Sequence, residues 1–311
     1  MKTLKILFLA SHWRVSLIKA FQDAKLSMKL ICADSDPDAP SLSEADRSQV
    51  IPLFSDPQCL PSVLELCEAE KVSALVPLTN KSIEFMADHR QELGAGGRRL
   101  WIPQNRVIET CHDKWKLFEF LKSEGFGTPL TFLPGKTATS FPLIAKPRRG
   151  EGSKDLFVLE NSDDLDFYMK KCPHHVFQQR IDGQEFSVDA FFDQHGSPRL
   201  IVPRERLAVR GGEVMASRIN MDAGIIDKVT ALGTKLGLTG PCTIQGIQDD
   251  EAFYFTDVNL RFGSGFVHTI SAGGNVPLMM YKELAGQELD SMKIDIKNHS
   301  VMTRYPESIF R

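Results

Sequence analysis

Short apolar runs alternating with amphipathic segments near the start of the chain restrict its fold more than any other feature. Residues 4–10 (LKILFLA) and 29–33 (KLICA) are continuous apolar strands, and residues 15–24 between them have helical periodicity. Residues 49–52 form a short third strand, 61–70 a helix and 74–77 (ALVP) a fourth strand. Strands without polar alternation are buried on both faces, which requires a parallel sheet covered by helices through right-handed crossovers. Residues 1–105 are therefore expected to form a Rossmann-like α/β lobe. The turn after its first strand, Ser11-His12-Trp13-Arg14, has no glycine, so the dinucleotide fingerprint is absent. Ligands of open parallel sheets still gather beyond the carboxyl ends of the strands. That rule nominates Ser11, His12, Arg14, Asp34, Thr79 and Asn80 as substrate-side candidates, against the plainer role of turn and cap residues.

Composition narrows the class. With 37 Lys plus Arg against 40 Asp plus Glu, a net charge of −3, the chain carries no basic footprint for nucleic acid. Its 6 cysteines have no C-x-x-C spacing, which favours free thiols over zinc ligands or disulfides. No apolar run has transmembrane length, and the opening MKTLKILFLASHWR is too soon broken for a signal peptide, so a cytoplasmic protein with no membrane partner is expected.

A second constraint lies in residues 255–265, FTDVNLRFGSG. In an extended strand Asp257, Asn259 and Arg261 share one face, while Thr256, Val258, Leu260 and Phe262 share the other. Oxygen donors two residues apart, roughly 6–7 Å along a strand, suit Mg²⁺ together with phosphate oxygens. Arg261 adds a planar cation fitted to phosphate or carboxylate. A solvated strand face is the alternative. Gln245, in the apolar run GPCTIQG, precedes the acidic turn 249–251, and a β-hairpin there returns Gln245 beside Asp257.

Between these ends, residues 105–125 show one helical period, and Lys114 within it reads first as a surface lysine. Residues 141–147 (FPLIAKP) bury Lys146 at the end of an apolar strand, followed by RRGEGSK. Glycines and a serine between strands present backbone N–H groups to an anion, and the flanking cations add charge. A basic hairpin turn is the bland equivalent, and the pattern is not a Walker A loop. Strands 175–179 and 186–192 flank RIDGQE, where Glu185 can accept from ribose hydroxyls. Residues 203–218 hold Arg204, Arg206, Arg210 and Arg218 around a Gly211-Gly212 turn; a solvated charged loop competes with an anion site, of which Arg210 is the preferred member. Helices are expected at 223–236 and 276–284, and a strand near 300–305.

Taken together, Asp113-Lys114, PLIAKP with RRGEGSK, FQQRIDGQEFSVD, RERLAVRGGEV, Gln245 and Asp257-Val258-Asn259-Leu260-Arg261 resemble the ATP-grasp superfamily. The likeness is to ligases related to biotin carboxylase and to the synthetase half of carbamoyl-phosphate synthase, and it covers residues 1–290. It implies an α/β chain made of α+β lobes, with a pre-ATP-grasp domain at 1–105, a small lid subdomain at 106–182 and a C-terminal subdomain at 183–311. The implied activity is an ATP- and Mg²⁺-dependent carboxylate–amine ligase working through an acyl phosphate. Carried across, Lys114 and Lys146 bind phosphates, and Gly150, Gly152 and Ser153 close over them. Gln178 reads the adenine amino group, backbone groups of Gln179 and Ile181 complete that contact, and Glu185 holds the ribose. Gln245, Asp257 and Asn259 hold one or two Mg²⁺, with Mn²⁺ as a substitute, and Arg261 and Arg210 stabilise the transferring phosphoryl group. Departures from the family pattern are Gln178 for an acid, Asp257 for a glutamate and Leu260 for a proline. Small-molecule carboxylates and amines are the implied partners, and an edge of the first lobe offers a homodimer surface. A nucleotide-binding regulatory protein without turnover, and carbamoyl phosphate chemistry, are the competing functions.

Overall fold

The computed structural model describes residues 3–310 apart from Thr137, Thr139 and Ser153. Its first sheet contains β1 (Leu4–Leu9), β2 (Met28–Asp34), β3 (Arg47–Val50), β4 (Ala74–Pro77) and β5 (Arg99–Leu100), in the order β3-β2-β1-β4-β5. Every pairing is parallel, as the apolar runs demand. Helices α1 (Val15–Asp23), α2 (Cys59–Glu70), α3 (Asn80–Asp88) and α4 (Arg90–Gly94) supply the crossovers and the edge. Ile6, Leu7, Phe8 and Leu9 of β1 and Leu75 and Val76 of β4 are fully buried, because each central strand is covered on both faces.

The single helix expected at 105–125 is two: α5 (Asn105–His112) and α6 (Lys114–Ser123). Asp113 breaks the run by adopting extended φ/ψ of −113° and 107° and capping α6 through the Trp115 and Lys116 N–H groups. The cap spends one residue of helix to set the direction of Lys114.

A four-stranded antiparallel sheet follows, built from β6 (Thr131–Phe132), β7 (Leu143–Pro147), β8 (Phe157–Leu159) and β9 (His175–Gln179) in the order β6-β9-β7-β8, with α7 (Ser162–Lys171) packed on it. Its core is a small cluster of its own around Leu143, Ala145, Leu159, Leu165 and Phe177. The remaining strands form a six-stranded antiparallel sheet: β10 (Gln184–Phe192), β11 (Pro198–Arg210), β12 (Glu213–Ile219), β13 (Gly240–Gln248), β14 (Phe253–Asn259) and β15 (Val301–Thr303). Helices α8 (Ala223–Leu236), α9 (Phe266–Ser271) and α10 (Val276–Leu284) cover it. The charged segment 203–218 is thus a hairpin of this sheet and not a solvated loop. Both large apolar clusters run from the first sheet into the six-stranded one, one holding Leu75 and Ile244 and the other Phe8 and Phe191. A shared core fixes these two layers to each other, while the separate core of the four-stranded sheet leaves that lobe able to move as a unit.

All six cysteines are free, and burial pushes the thiols of Cys32, Cys59, Cys67, Cys111 and Cys242 up, so none of these five is a nucleophile at neutral pH. Among the described residues no helix is long and apolar enough to cross a membrane.

Candidate active site

A cleft of about 640 Å³ separates the four-stranded lobe from the six-stranded sheet, and Arg14 of the first lobe reaches into it. Its floor is the hairpin of β13 and β14, whose register places Gln245 opposite Asp257 and Thr243 opposite Asn259. Strict alternation puts Thr256 on the far face, but the register slips between Gln245 and Gly246. The extra residue, Thr256, forms a β-bulge that turns its carbonyl into the cleft, 3.5 Å from Lys146 Nζ.

Two lysines converge on Asp257 from different elements. Lys114 opens α6 and stands 3.5 Å from one carboxylate oxygen, while Lys146 ends β7 and stands 3.5 Å from the other. Lys114 also donates to the Gly150 carbonyl at 3.1 Å, which ties the glycine-rich turn to the same cluster. Asp113 sets this geometry: its carboxylate accepts Arg148 Nε at 2.7 and 2.9 Å besides capping α6. Burial opposes the charged form of Asp113, yet Arg148 and the two N–H donors hold its carboxyl below the usual range. Burial lowers the Lys146 ammonium, with Asp257 resisting and Lys114 adding to the depression. Asp257 is itself raised by burial, an effect outweighed by the two ammonium groups, so it stays ionised well below neutrality.

Gln245, Asp257 and Asn259 all face this cleft, giving one carboxylate and two amide oxygens. No group of three or more His, Cys, Asp or Glu able to hold a metal occurs among the described residues. One carboxylate and two amide oxygens are hard donors, which fit a Mg²⁺ that takes its remaining ligands from phosphate and water. Arg261 donates through Nη2 to Glu151 Oε2 at 2.8 Å and through Nη1 to the Phe262 carbonyl, leaving Nε buried without a partner.

On the opposite wall Gln178, 7% exposed, donates its amide to Thr131 Oγ1 at 2.8 Å. Gln178 lines the cleft, and that bond uses its amide nitrogen and leaves the oxygen as the acceptor. The Gln179 N–H donates to the Leu130 carbonyl at 2.8 Å, so a backbone contact from this residue falls to its carbonyl. Ile181 and Glu185 also line the cleft, and Glu185 is paired with Arg206 at 2.9 Å. Gly150 and Gly152 have φ of 156° and 75°, a backbone shape that glycine supplies without strain. Ser153 lies outside the described residues.

Arg210 departs from expectation. It is exposed at the tip of the β11–β12 hairpin opposite Glu213 and is not part of the cleft wall. Period two from Arg204 and Arg206 carries Arg210 onto their face, but register shifts on either side of Ala208 break that parity. Arg204 and Arg206, two of the other arginines of that candidate anion site, line the cleft instead, Arg206 with Nε unpartnered. Of the first-lobe candidates, Ser11 accepts from Ser41, His12 meets Asp36, Asp34 accepts the His12 and Asp36 N–H groups, and Thr79 caps α3. These four carry out local turn and cap chemistry. Arg14 and Asn80 alone turn toward the cleft, the latter through its N–H, 3.4 Å from Glu151 Oε2.

Two family models match in sequence order: a PylC-like N-terminal domain over residues 6–99 and an ATP-grasp domain over residues 111–265. The chain belongs to the ATP-grasp superfamily. A carbamoyl-phosphate synthase of Methanobrevibacter smithii is 27% identical over 195 residues, covering 60% of this ATP-grasp chain and 51% of that protein. The chain thus spans about half the length of this curated relative. Among solved structures, an L-amino acid ligase from Bacillus licheniformis matches with TM-score 0.74 at 19% identity, over 94% of this chain and 78% of that one. N5-carboxyaminoimidazole synthetase from Staphylococcus aureus, complexed with ADP, matches with TM-score 0.77 at 16% identity, over 97% and 82%. At these identities the structural matches establish the shared fold.

Proposed function

We propose that this ATP-grasp chain is an ATP- and Mg²⁺-dependent ligase that joins a small-molecule carboxylate, such as that of an amino acid, to an amine through an acyl phosphate. One observation carries the reading: Lys114 and Lys146 meet a single carboxylate, Asp257, in the cleft that also holds Gln245, Asn259 and Arg261. Phosphoryl transfer needs positioned cations more than a covalent protein group. Lys114 and Lys146 supply them for the phosphates, and Arg261 supplies a forked cation for the transferring group. Asp257, Asn259 and Gln245 would hold one or two Mg²⁺, or Mn²⁺, whose chemistry is neutralisation of phosphate charge. Within 106–182 the four-stranded lobe acts as the lid over 183–311, α5 and α6 being held in the large shared core, and Gly150 to Gly152 exclude water from the acyl phosphate. A nucleophilic amine then displaces phosphate. The ADP complex of the Staphylococcus aureus synthetase and the amino acid ligase of Bacillus licheniformis support this reading. Free thiols suit a reducing compartment such as the cytoplasm.

The direct test is ADP release across a panel of amino acids and small carboxylates paired with amines. Release that needs Mg²⁺ and both organic partners is expected; nucleotide binding without release across the panel would replace this reading by a regulatory one. A second expectation concerns adenine. Gln178→Leu removes the accepting oxygen and is expected to raise the Kd for ADP about fivefold, roughly 1 kcal/mol, while Gln178→Glu keeps it. Equal ADP affinity in wild type and Gln178→Leu by calorimetry would remove Gln178 from the adenine site.

A further inference from the structure

We propose that Arg14 binds a carboxylate that does not react, so that one substrate of this enzyme carries a free acid group besides the atoms being joined. The inference rests on the ligase reading and adds a substrate class to it. Arg14 lies in the turn after β1, where its backbone is held rigidly: its N–H donates to the Ser11 carbonyl at 2.8 Å, and its own carbonyl accepts the Leu17 and Ile18 N–H groups that start α1. The side chain enters the cleft from the first lobe. No ion pair or side-chain hydrogen bond of Arg14 forms among the described residues.

Its charged neighbours are Arg261, Glu213, Arg304 and Glu151. Glu213 is already matched by Arg304 at 3.6 Å. Glu151, from the glycine-rich turn, accepts Arg261 Nη2 at 2.8 Å and the Asn80 N–H at 3.4 Å through one oxygen. A carboxylate therefore already bridges the first lobe and the catalytic hairpin beside Arg14, and it belongs to the lid. Glu151 is read as a stand-in for a substrate carboxylate. Once the reacting group occupies Arg261, the guanidinium of Arg14 is left without a counter-charge in a partly dehydrated cleft. Burial first, and Arg261 second, bring its pKa down to about 10, the cost of leaving that charge unmatched. A free carboxylate on the ligand supplies the match in a bidentate geometry that arginine favours. Two sources share this chemistry: the second acid group of a dicarboxylate that is phosphorylated at the other end, or the free carboxylate of an amino acid serving as the amine.

The experiment is calorimetric titration of the enzyme saturated with Mg²⁺ and a non-hydrolysable imido analogue of ATP. Succinate is compared with succinamate for the first source, and alanine with alaninamide for the second. At least one acid is expected to bind about tenfold tighter than its amide. Arg14→Met should erase that ratio and Arg14→Lys restore part of it, with nucleotide binding reporting that each variant is folded. Glu151→Gln should tighten the acid several-fold, because the competing stand-in is gone. Acids binding no better than amides, no binding by any ligand, or an acid preference that survives Arg14→Met would each overturn the proposal. The outcomes separate from the ligase reading: an Arg14-dependent preference without ADP release sinks only the latter, and ADP release indifferent to Arg14 sinks only the former.

Discussion

Asp257→Asn should divide nucleotide binding into two opposite responses. In the cleft the carboxylate sits 3.5 Å from both Lys114 and Lys146, holding the two ammonium groups that the phosphates are proposed to take. Without the carboxylate both lysines are released, so ADP in the presence of EDTA is expected to bind as tightly as to wild type or tighter. With Mg²⁺ the sign reverses, since the charged metal ligand is lost, and only amide oxygens remain on β13 and β14. Turnover should fall on the order of 10³-fold, the scale of removing one preorganised electrostatic contact from phosphoryl transfer.

Stability gives an independent check on the same substitution. Asp257 is held ionised by the two lysines against burial, so its contribution to stability is present above the ordinary carboxylate range and lost as pH falls through the depressed folded value. The asparagine variant lacks that contribution at neutral pH, and Lys146 loses the group that resists its depression by burial. With the carboxylate side chain 27% exposed, a cost of about 2 kcal/mol is expected, below that of a fully buried pair. An Asp257→Asn enzyme with full Mg²⁺-dependent turnover, or one whose Mg²⁺-free ADP affinity collapses, would contradict the site as drawn.

The parallel first sheet was legible from its inner strands, because burial on both faces leaves β1 and β4 few polar residues, whereas the polar edge strand β3 lies at Arg47–Val50 and not at the expected 49–52. The hairpin pairing Gln245 with Asp257 was equally readable, since a short acidic turn fixes the register of what flanks it. Where legibility failed, the cause was local backbone chemistry. Asp113 splits a helix that its neighbours' periodicity would continue, because its side chain supplies two capping bonds and an ion pair to a residue 35 positions away. Irregularities on either side of Ala208 shift the alternation of β11, which exiles Arg210 while Arg206, before them, keeps its place, and the one at Thr256 turns that carbonyl toward Lys146. A bulge leaves little trace in residue types, so parity arguments fail beyond it. The partnering of Glu151 with Arg261, 110 positions apart, has no sequence signal at all.

Asp189→Asn is expected to be the most destabilising single polar change in the six-stranded sheet. Asp189 and Arg204 are 0% and 1% exposed and form a bidentate pair across β10 and β11 at 2.7 and 3.0 Å. Thr243 and Thr269 donate to the remaining lone pairs at 2.9 and 2.7 Å, so the carboxylate is fully satisfied without solvent. An asparagine keeps the shape and can still accept from a threonine, but it leaves a guanidinium buried without a counter-charge. Such a change costs about 3–5 kcal/mol, which lowers the thermal midpoint by roughly 10 °C in a domain of this size. The effect should reach the site, because the same network seats the turn after β14. A Cβ on Gly265 would lie 2.5 Å from Arg204 Nη1, and one on Gly263 would lie 2.7 Å from Thr243 Oγ1. The Gly263 N–H also donates to that threonine at 3.0 Å. Arg261 is thus positioned by backbone that rests on the buried pair, and kcat is expected to fall together with stability. Adding Arg204→Met to Asp189→Asn removes the uncompensated charge and should recover most of the lost midpoint, though not the placement of the turn and hence not kcat. If the double variant melts no higher than Asp189→Asn alone, the loss comes from broken packing and the charge argument is wrong.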